Sequence, residues 1–599
     1  MIGRLKSELA YARGLLRALR RTGQVARARE VTLGNHLERW AALYADRPVL
    51  ESETETLTYR DLNARANRYA RWARAEGLNK GDTVCLFMPN RPEYVAIWMG
   101  LARAGLATAL INTNLTGATL AHSVALAGAK AAIVDSALAD EWTTAKDEID
   151  DKLSVFAFGP SSLDAPRLDL KVLSFAEAPL SPEERPKLTH EDAALYIYTS
   201  GTTGLPKAAR ITHSRLLRIL VGFAAVVGAR PTDRIYQCLP MYHTNGGVIT
   251  VGIAMAAGGS CFIRRRFSAH EFWREIVDRR CTMFVYVGEL CRYLLNMPPG
   301  PLDRAHGVRL CIGNGLRPDI FSAFKTRFGL KTIVEFYAAT EGNVALFNFD
   351  SYPGAVGRMP NWAAKRFPIK TIAFDIDQEA ERRDANGRCI ECGIDEVGEL
   401  IGEILDDAAK PAARFDGYAD AQATNDKILR NVFKDGDAWF RTGDLLRRDA
   451  LGYYYFVDRI GDTFRWKGEN VSTTEVAETI MLFPGVRHAI VYGVAVPNHD
   501  GRAGMAALVV EDPAAFDLKA FRAFVAERLP TYARPLFLRF RPEIEVTGTF
   551  KPKKTALVAQ GFDPAKVGEL VYYDDKGAGR FIAVSPDLIV QISSGAMKL

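Results

Sequence analysis

The sequence predicts an α/β fold, built as a large N-terminal unit followed by a smaller C-terminal one. The first observation is alternation: from residue 31 onward, stretches with helical spacing (37–44, 59–76, 94–104) trade places with short β-rich runs (83–88, 107–111, 131–134), the pattern of strands joined by crossover helices. The second is composition. With 599 residues, 48% hydrophobic and 25% charged, the chain has the make-up of a soluble globular protein, not of a disordered, collagenous or multi-span one. The third is a break at 458–462, where a β-rich run (453–457) gives way to Arg459-Ile460-Gly461-Asp462 and a compact set of new strands follows (488–496, 503–510). The expected organisation is a basic segment 1–30, a large unit 31–458 and a C-terminal unit 459–599.

The net charge of +6 is not spread evenly. Residues 1–30 hold eight basic and two acidic side chains, and the remaining residues carry 69 of each sign. At about 100° per residue, Ile2, Leu5, Leu9, Ala12, Leu16 and Leu19 share one face flanked by Lys6, Arg13 and Arg17, so the segment reads as a basic amphipathic helix. Such a helix suits the surface of an anionic membrane. The alternative is a solvated helix docked on its own domain. No basic patch interleaved with aromatics occurs elsewhere, which argues against nucleic acid.

Between Arg234 and Arg264 lie 29 residues without Asp, Glu, Lys or Arg. Glycines interrupt this run, and Pro240, His243 and Asn245 sit within it, so it reads as a strand, a loop and a buried helix rather than a membrane span. Eight cysteines are scattered through apolar stretches, and no apolar leader with a cleavage site opens the chain; the expectation is a reducing, cytoplasmic setting. The one close pair, Cys389 and Cys392, follows Ala385-Asn386-Gly387, a turn signal, and reads as two turn cysteines rather than a metal or redox site.

The most specific segment is Tyr198-Thr199-Ser200-Gly201-Thr202-Thr203-Gly204-Leu205-Pro206-Lys207, which follows a buried strand expected at 193–198. Glycines let backbone N–H groups approach phosphate oxygens, threonine and serine add donors, and Lys207 supplies positive charge. It is not a Walker A loop, because Lys207 is preceded by Pro206 and followed by Ala208.

This string resembles the signature loop of the adenylate-forming superfamily of acyl-CoA synthetases, nonribosomal adenylation domains and luciferases. Its extension Leu205-Pro206-Lys207-Ala208-Ala209 is similar to the branch of fatty acid transport proteins and very-long-chain acyl-CoA synthetases. Further segments agree with that branch: Leu239-Pro240-Met241-Tyr242-His243-Thr244, Gly313-Asn314-Gly315-Leu316-Arg317-Pro318, Tyr337-Ala338-Ala339-Thr340-Glu341-Gly342, Arg441-Thr442-Gly443-Asp444, the stretch 458–472, and Thr547-Gly548-Thr549-Phe550-Lys551. The resemblance covers residues 31–599. It implies a large adenylate-forming domain of stacked β-sheets and helices with a small mobile α+β lid, and a two-step reaction. A carboxylate attacks the α-phosphate of Mg-ATP to give acyl-AMP and pyrophosphate, and the thiol of coenzyme A then displaces AMP.

The resemblance also implies roles. Glu341 would help hold Mg²⁺ and Thr340 would contact the α-phosphate. The loop Thr199, Ser200, Gly201, Thr202, Thr203, Gly204 and Lys207 would cradle phosphates. Tyr337 would stack adenine against Gly313, Asn314 and Gly315, and Asp444 would accept hydrogen bonds from the ribose with Arg459 beside it. His243 would lie near the substrate carboxylate. Lys551 would reach between carboxylate and α-phosphate in the first step, with Lys553 and Lys554 as rivals because Phe550 stands where many relatives have glycine. The lid would turn about Gly461, bringing Lys551 in for adenylation and Gly468 to Ser472 for thioester formation. Gly246 and Gly247 occupy a position where some fatty acyl ligases carry an aromatic gate, which points to an unobstructed acyl tunnel and long chains. The expected activity is therefore an ATP-dependent ligase joining long or very-long-chain fatty acids to coenzyme A, in the cytoplasm or peripheral on the inner membrane face. A ligase for another bulky lipid carboxylate, such as a bile acid or sterol side chain, and a membrane fatty acid carrier are the alternatives.

Overall fold

The structure, a computed structural model, describes the chain apart from residues 1, 28–31, 201–205, 365, 377, 406–412, 468, 498, 500, 548–551 and 595–599; the side chains of residues 2–6 and 200 are likewise not described. Two large sheets organise the body. One has six strands in the order Ser154–Phe158, Ala129–Asp135, Thr83–Phe87, Ala107–Leu110, Ala193–Ser200 and Pro206–Thr212, all parallel until the last, which returns antiparallel. The other has fifteen strands, with a parallel centre (Ser260–Ile263, Arg234–Gln237, Met283–Val287, Leu310–Asn314, Ile333–Ala338) that continues into antiparallel strands through Tyr453–Arg459 and Ala438–Arg448. These parallel strands are near-continuous apolar runs because both of their faces are covered.

The helix Pro92–Arg103 shows how completely the core is closed: all twelve residues are buried. Its sequence has no solvated face to offer, only Glu93 and Arg103 as charges, and both are matched. Glu93 accepts from Arg65 and from the Tyr69 hydroxyl at 2.6 Å, while Arg103 donates to Asn67 and, at 2.7 Å, to Asn63. The uncharged stretch 235–263 resolves into a strand, a single-turn π-helix over Thr244–Thr250, the buried helix Val251–Met255 and a second strand. Among the described residues no helix is long and apolar enough to cross a membrane. The eight cysteines are all free; seven are buried and Cys392 is half-buried.

The N-terminal helix Ile2–Arg27 forms where the periodicity predicts it. It docks on the body, but not through the leucine stripe. Tyr11 is buried and meets the edges of Phe349 and Trp362 at 5.5 and 6.0 Å, and a side chain on Gly14 would strike the Phe349 ring. Ser7 bonds Tyr453 at 2.9 Å and Glu8 pairs with Arg358, while Arg17 takes the carbonyls of Ala225 and Val226 at 3.1 and 3.2 Å. Leu9, Leu16 and Leu19 are left 46%, 69% and 45% exposed. The sequence left open whether this helix meets a membrane or its own domain; the body takes a face of small and aromatic residues that allows close approach and leaves the leucine face outward.

After Arg459 the chain leaves the large sheet and builds a second hydrophobic cluster, from Phe464 to Ile592, around the five-stranded sheet Val486–Ala495, Arg502–Val510, Phe537–Phe540, Val571–Asp575 and Arg580–Ala583. This C-terminal unit touches the body through ionisable groups. His488 Nε2 lies 3.0 Å from Glu289. Glu289 is held below the usual carboxylate range by His488, Arg317 and Arg292 against the opposing effect of burial, and Glu478 is pushed up to about 7 by burial, with Asp319 adding to the rise and Arg317 opposing it.

Candidate active site

The two strands flanking the phosphate-loop segment pair antiparallel. Thr199 pairs with Lys207 and Ser200 with Pro206 across two antiparallel strands, so 201–205 form the connection. Gly201, Thr202, Thr203 and Gly204 themselves lie outside the described residues. A strand-to-strand turn, not a strand-to-helix one, explains why Lys207 stands after Pro206: proline begins the return strand as its first residue, where no ladder N–H is missed.

The strand Pro206–Thr212 leads directly into the helix His213–Val226, whose first turn is capped by the Thr212 hydroxyl. Arg215 on that turn is buried and spends its guanidinium on backbone: its Nε donates to Thr340 O at 2.9 Å, and a terminal nitrogen donates to Ala339 O at 3.2 Å and to Gly342 O. A buried charge that satisfies three carbonyls fixes the turn carrying Thr340 and Glu341. From the front, the Thr244 and Thr340 hydroxyls lie 2.9 Å apart, and Tyr418 donates to Glu341 Oε1 at 2.7 Å. Tyr418 also faces Thr199, so Glu341 is tied to the base of the hairpin.

Lys427 completes this cluster. Burial lowers the pKa of its ammonium, and the carboxylates of Glu341, Glu399 and Asp444 oppose that fall while Lys207 adds to it, which places all five charges around one space. Asp444 accepts from the Tyr337 hydroxyl at 2.6 Å on one oxygen and faces Arg459 Nε at 3.4 Å on the other. Burial, then the Asp444 charge, push the Tyr337 phenol well above its ordinary value. Arg441 and Glu399 are paired at 2.8 Å beneath Gly443, whose N–H donates to the same carboxylate at 3.2 Å.

Asn314 accepts from Asn245 at 2.8 Å, bringing the end of Leu310–Asn314 against the π-helix. Gly313 and Gly315 are required there for distinct reasons: a Cβ on Gly313 would meet Tyr286 O at 2.3 Å, and Gly315 has φ of 81°. His243 precedes the π-helix, half-buried, with its ring 4.5 Å from that of Tyr242. Gly246 and Gly247 correct an expectation. Side chains there would strike Pro240 O at 2.4 Å and Met241 O at 1.8 Å, so their smallness serves backbone packing and is no sign of an open tunnel.

At the junction with the C-terminal unit Gly461 has φ of 91°, and buried Asp458 accepts from Thr473 N at 2.7 Å. Lys554 bonds Asp462 at 3.1 Å and Thr473 at 2.8 Å, and Lys553 faces Glu545 at 3.7 Å. Lys551 and Gly468 lie outside the described residues.

The structure thus gathers Thr340, Glu341, Thr199, Lys207, Tyr337, Asp444 and Arg459 around one cleft. Sequence reading missed Arg215, Tyr418, Glu399 and Lys427, none of which sits in a motif it singled out. Glu341, set among hydroxyls and near Lys207 and Lys427, suits a cation that arrives on phosphates, since Mg²⁺ keeps much of its coordination from water and substrate. Among the described residues no cluster of three or more His, Cys, Asp and Glu is placed to hold a metal by itself.

The model of the AMP-binding enzyme family matches residues 37–401, and that of the AMP-binding enzyme C-terminal domain matches 475–551. Long-chain fatty acid transport protein 1 of Mus musculus is 40% identical over 547 residues, 90% of this chain and 84% of that one. The medium/long-chain-fatty-acid-CoA ligase FadD6 of Mycobacterium tuberculosis is also 40% identical over 547 residues, 90% of this chain and 88% of that one. Among solved structures, the anthranilate CoA ligase AuaEII in complex with anthranoyl-AMP shares the fold, with a TM-score of 0.75 at 20% identity, over 88% of this chain and 96% of that one. With a family model over residues 37–401 and a relative 40% identical over 90% of its length, the chain belongs to the AMP-binding enzyme family.

Proposed function

We propose that the protein is an ATP-dependent ligase that activates long or very-long-chain fatty acids and transfers them to coenzyme A. The observation that carries this reading is the Thr340–Glu341 turn, clamped behind by Arg215 and in front by Tyr418, with Lys207 and Lys427 facing it and the Tyr337–Asp444 pair alongside. In the first step a carboxylate oxygen of the fatty acid bonds to the α-phosphorus of ATP and the bond to pyrophosphate breaks. Charge builds on the phosphoryl oxygens, where Thr340, Lys207 and the Thr199 hydroxyl can donate to it, and the resemblance assigns Ser200, Gly201, Thr202, Thr203 and Gly204 to the same phosphates. Lys427 is set to meet charge on the departing pyrophosphate. Glu341 would hold Mg²⁺, which when bound supplies neutralising charge to the phosphates. Asp444 exchanges its bond from Tyr337 for the ribose hydroxyls, with Arg459 holding its other oxygen, and adenine lies on Tyr337 against Gly313 to Gly315. His243 orients the carboxylate. In the second step the sulfur of coenzyme A bonds to the acyl carbon, AMP leaves with the electrons of the C–O bond, and the thiol proton passes to solvent.

The family resemblance assigns the first step to Lys551; Lys554 bonds Asp462 and Lys553 faces Glu545 within the C-terminal unit. Residues 459–599 act as the lid, with Gly461 as its hinge and Gly468 to Ser472 brought to the cleft for the second step. The outward leucine and arginine face of Ile2–Arg27 rests on the inner, anionic face of a membrane, where each basic residue near the surface contributes about 1 kcal/mol.

The test is pyrophosphate release over a series of carboxylic acids, with and without coenzyme A. Long-chain acids should give acyl-AMP alone and acyl-CoA when coenzyme A is added; the highest rates with bile acids, or no release with any acid, would overturn the reading. Lys551→Ala should slow acyl-AMP formation by at least about 10²-fold and spare thioester formation from supplied acyl-AMP. Equal damage to both steps would remove Lys551 from its role. Deleting residues 1–30 should weaken co-sedimentation with anionic vesicles, and the wild-type binding should fall as salt rises; identical sedimentation of the two forms would place the membrane contact elsewhere.

A further inference from the structure

Behind the N-terminal helix is a cavity of about 500 Å³ that no part of the reaction uses. Its size is that of a small-molecule site. Its floor is apolar and built of small residues: Val221 and Ala224 of the helix His213–Val226, Ala229 and Pro231 after it, and Ala256 and Ala257 after Val251–Met255. Its rim is basic, with Arg17, Arg20 and Arg21 on the N-terminal helix, and none of its lining residues is acidic.

The three arginines do different things. Arg17 covers the carbonyls of Ala225 and Val226, the C-terminal end of His213–Val226, which would otherwise repel an anion. Arg20 and Arg21 are exposed, and neither finds a hydrogen-bond or ion-pair partner among the described residues. Two free guanidiniums beside an apolar floor match a ligand with one anionic head and an apolar body. A small inorganic anion would leave the floor unused, and a neutral lipid would leave the guanidiniums unmatched.

We infer that this cavity binds a monomeric long-chain fatty acid, with its carboxylate on Arg20 and Arg21 and its chain on the alanine-lined floor. The site lies apart from the catalytic turn. The helix that makes its floor begins at the turn carrying Arg215, and the cavity lining starts at Val221, about 9 Å farther along it at about 1.5 Å per residue. One helix therefore joins a waiting site for substrate to the segment that reacts with it. The choice of a fatty acid as the anionic amphiphile rests on the substrate class proposed above.

The experiment uses the full chain without ATP and a dodecanoic acid carrying a terminal diazirine. Photolabelling followed by peptide mapping should mark residues 221–231 or 256–257, and unlabelled dodecanoic acid should displace the probe where dodecan-1-ol and acetate do not. Arg20→Ala with Arg21→Ala should weaken labelling about tenfold or more, the loss of two surface charges, and Ala257→Phe should abolish it by filling the floor. Both variants should keep wild-type pyrophosphate release with a soluble short-chain acid, which reads the active site separately. Labelling confined to other peptides, indifference to the arginine pair, or equal displacement by the alcohol would overturn the proposal. Stronger displacement by lysophosphatidylglycerol than by dodecanoic acid would overturn it too, giving the cavity to a lipid headgroup. Failure of fatty acid activation with labelling intact would strike only the substrate reading.

Discussion

The N-terminal helix and the C-terminal unit dock on the same body with different chemistry, the helix adding aromatic packing to its polar contacts through Ser7, Glu8 and Arg17. The helix is held by Tyr11 between Phe349 and Trp362 and by a glycine, Gly14, that lets its backbone reach the Phe349 ring. The C-terminal unit is held by Glu289 and His488, with Glu478 set among Arg317, Arg292 and Asp319. Close packing has one good arrangement and loses contact steeply with displacement. Charged pairs at a boundary can be exchanged for water or for other partners at modest cost. The first contact is that of a permanent part, and the second that of a part able to let go.

The largest expected effect breaks the second contact at its hinge. Gly461 has φ of 91°, which proline cannot adopt, so Gly461→Pro excludes the arrangement seen here. Whichever half-reaction needs that arrangement should fall about 10²-fold, the factor by which the state becomes about 1% populated, while the other is little changed. Single-turnover assays of both steps decide it, and equal rates for the two in the variant would mean that Gly461 is no hinge.

Gly14→Leu attacks the first contact. It forces a side chain into the Phe349 ring and should cost about 1–3 kcal/mol, seen as a lower melting temperature and as proteolysis within residues 1–30. Catalysis on a soluble acid should survive. If the variant melts like the wild type, the helix is held by its polar contacts through Ser7 and Glu8.

The smallest effect is in pH. Glu478 rises from an ordinary 4.5 to about 7 when docked. A raised pKa means that docking favours the protonated carboxyl, so this contribution is fully present below 4.5 and is lost as pH climbs through about 7. Since Glu478 is partly hydrated, about 1 kcal/mol is expected. Exchange protection factors in the strand Val486–Ala495, which remove the intrinsic rise of exchange with pH, should fall between pH 5 and pH 8 in the wild type and change less in Glu478→Gln. Glu289, held below its ordinary range, works in the other direction and matters only as pH falls below the usual carboxylate values. A slope unchanged in Glu478→Gln would assign the pH response to another group.

The α/β architecture was legible because its signals are local. The runs at 83–88, 107–111 and 131–134 became the strands Thr83–Phe87, Ala107–Leu110 and Ala129–Asp135, and 59–76 became Tyr59–Ala75. The string at 198–207 announced a phosphate-binding turn by its unusual composition, and the hairpin register then explained the position of Lys207. What could not be read was set by tertiary contact. Arg215, Tyr418 and Lys427 come from separate elements, and only folding shows that they converge on Glu341 and Thr340. The docked face of the N-terminal helix was not legible either, because Gly14, which has no side chain, is what lets the helix reach the Phe349 ring. Gly246 and Gly247 were read by what they lack, whereas two backbone carbonyls decide their identity.

The burial of the cysteines has a practical consequence for watching the hinge move. Loss of hydration pushes the thiols of Cys85 and Cys281 up to about 12 and that of Cys389 up to about 11, and even half-buried Cys392 rises to about 12. Alkylating dyes react with thiolates, so these native thiols are chemically quiet at neutral pH. One engineered cysteine on the surface of the body and one on the C-terminal unit should therefore take a donor and acceptor dye with all eight native cysteines in place. Single-molecule energy transfer could then time the swing between the two steps in the unaltered core.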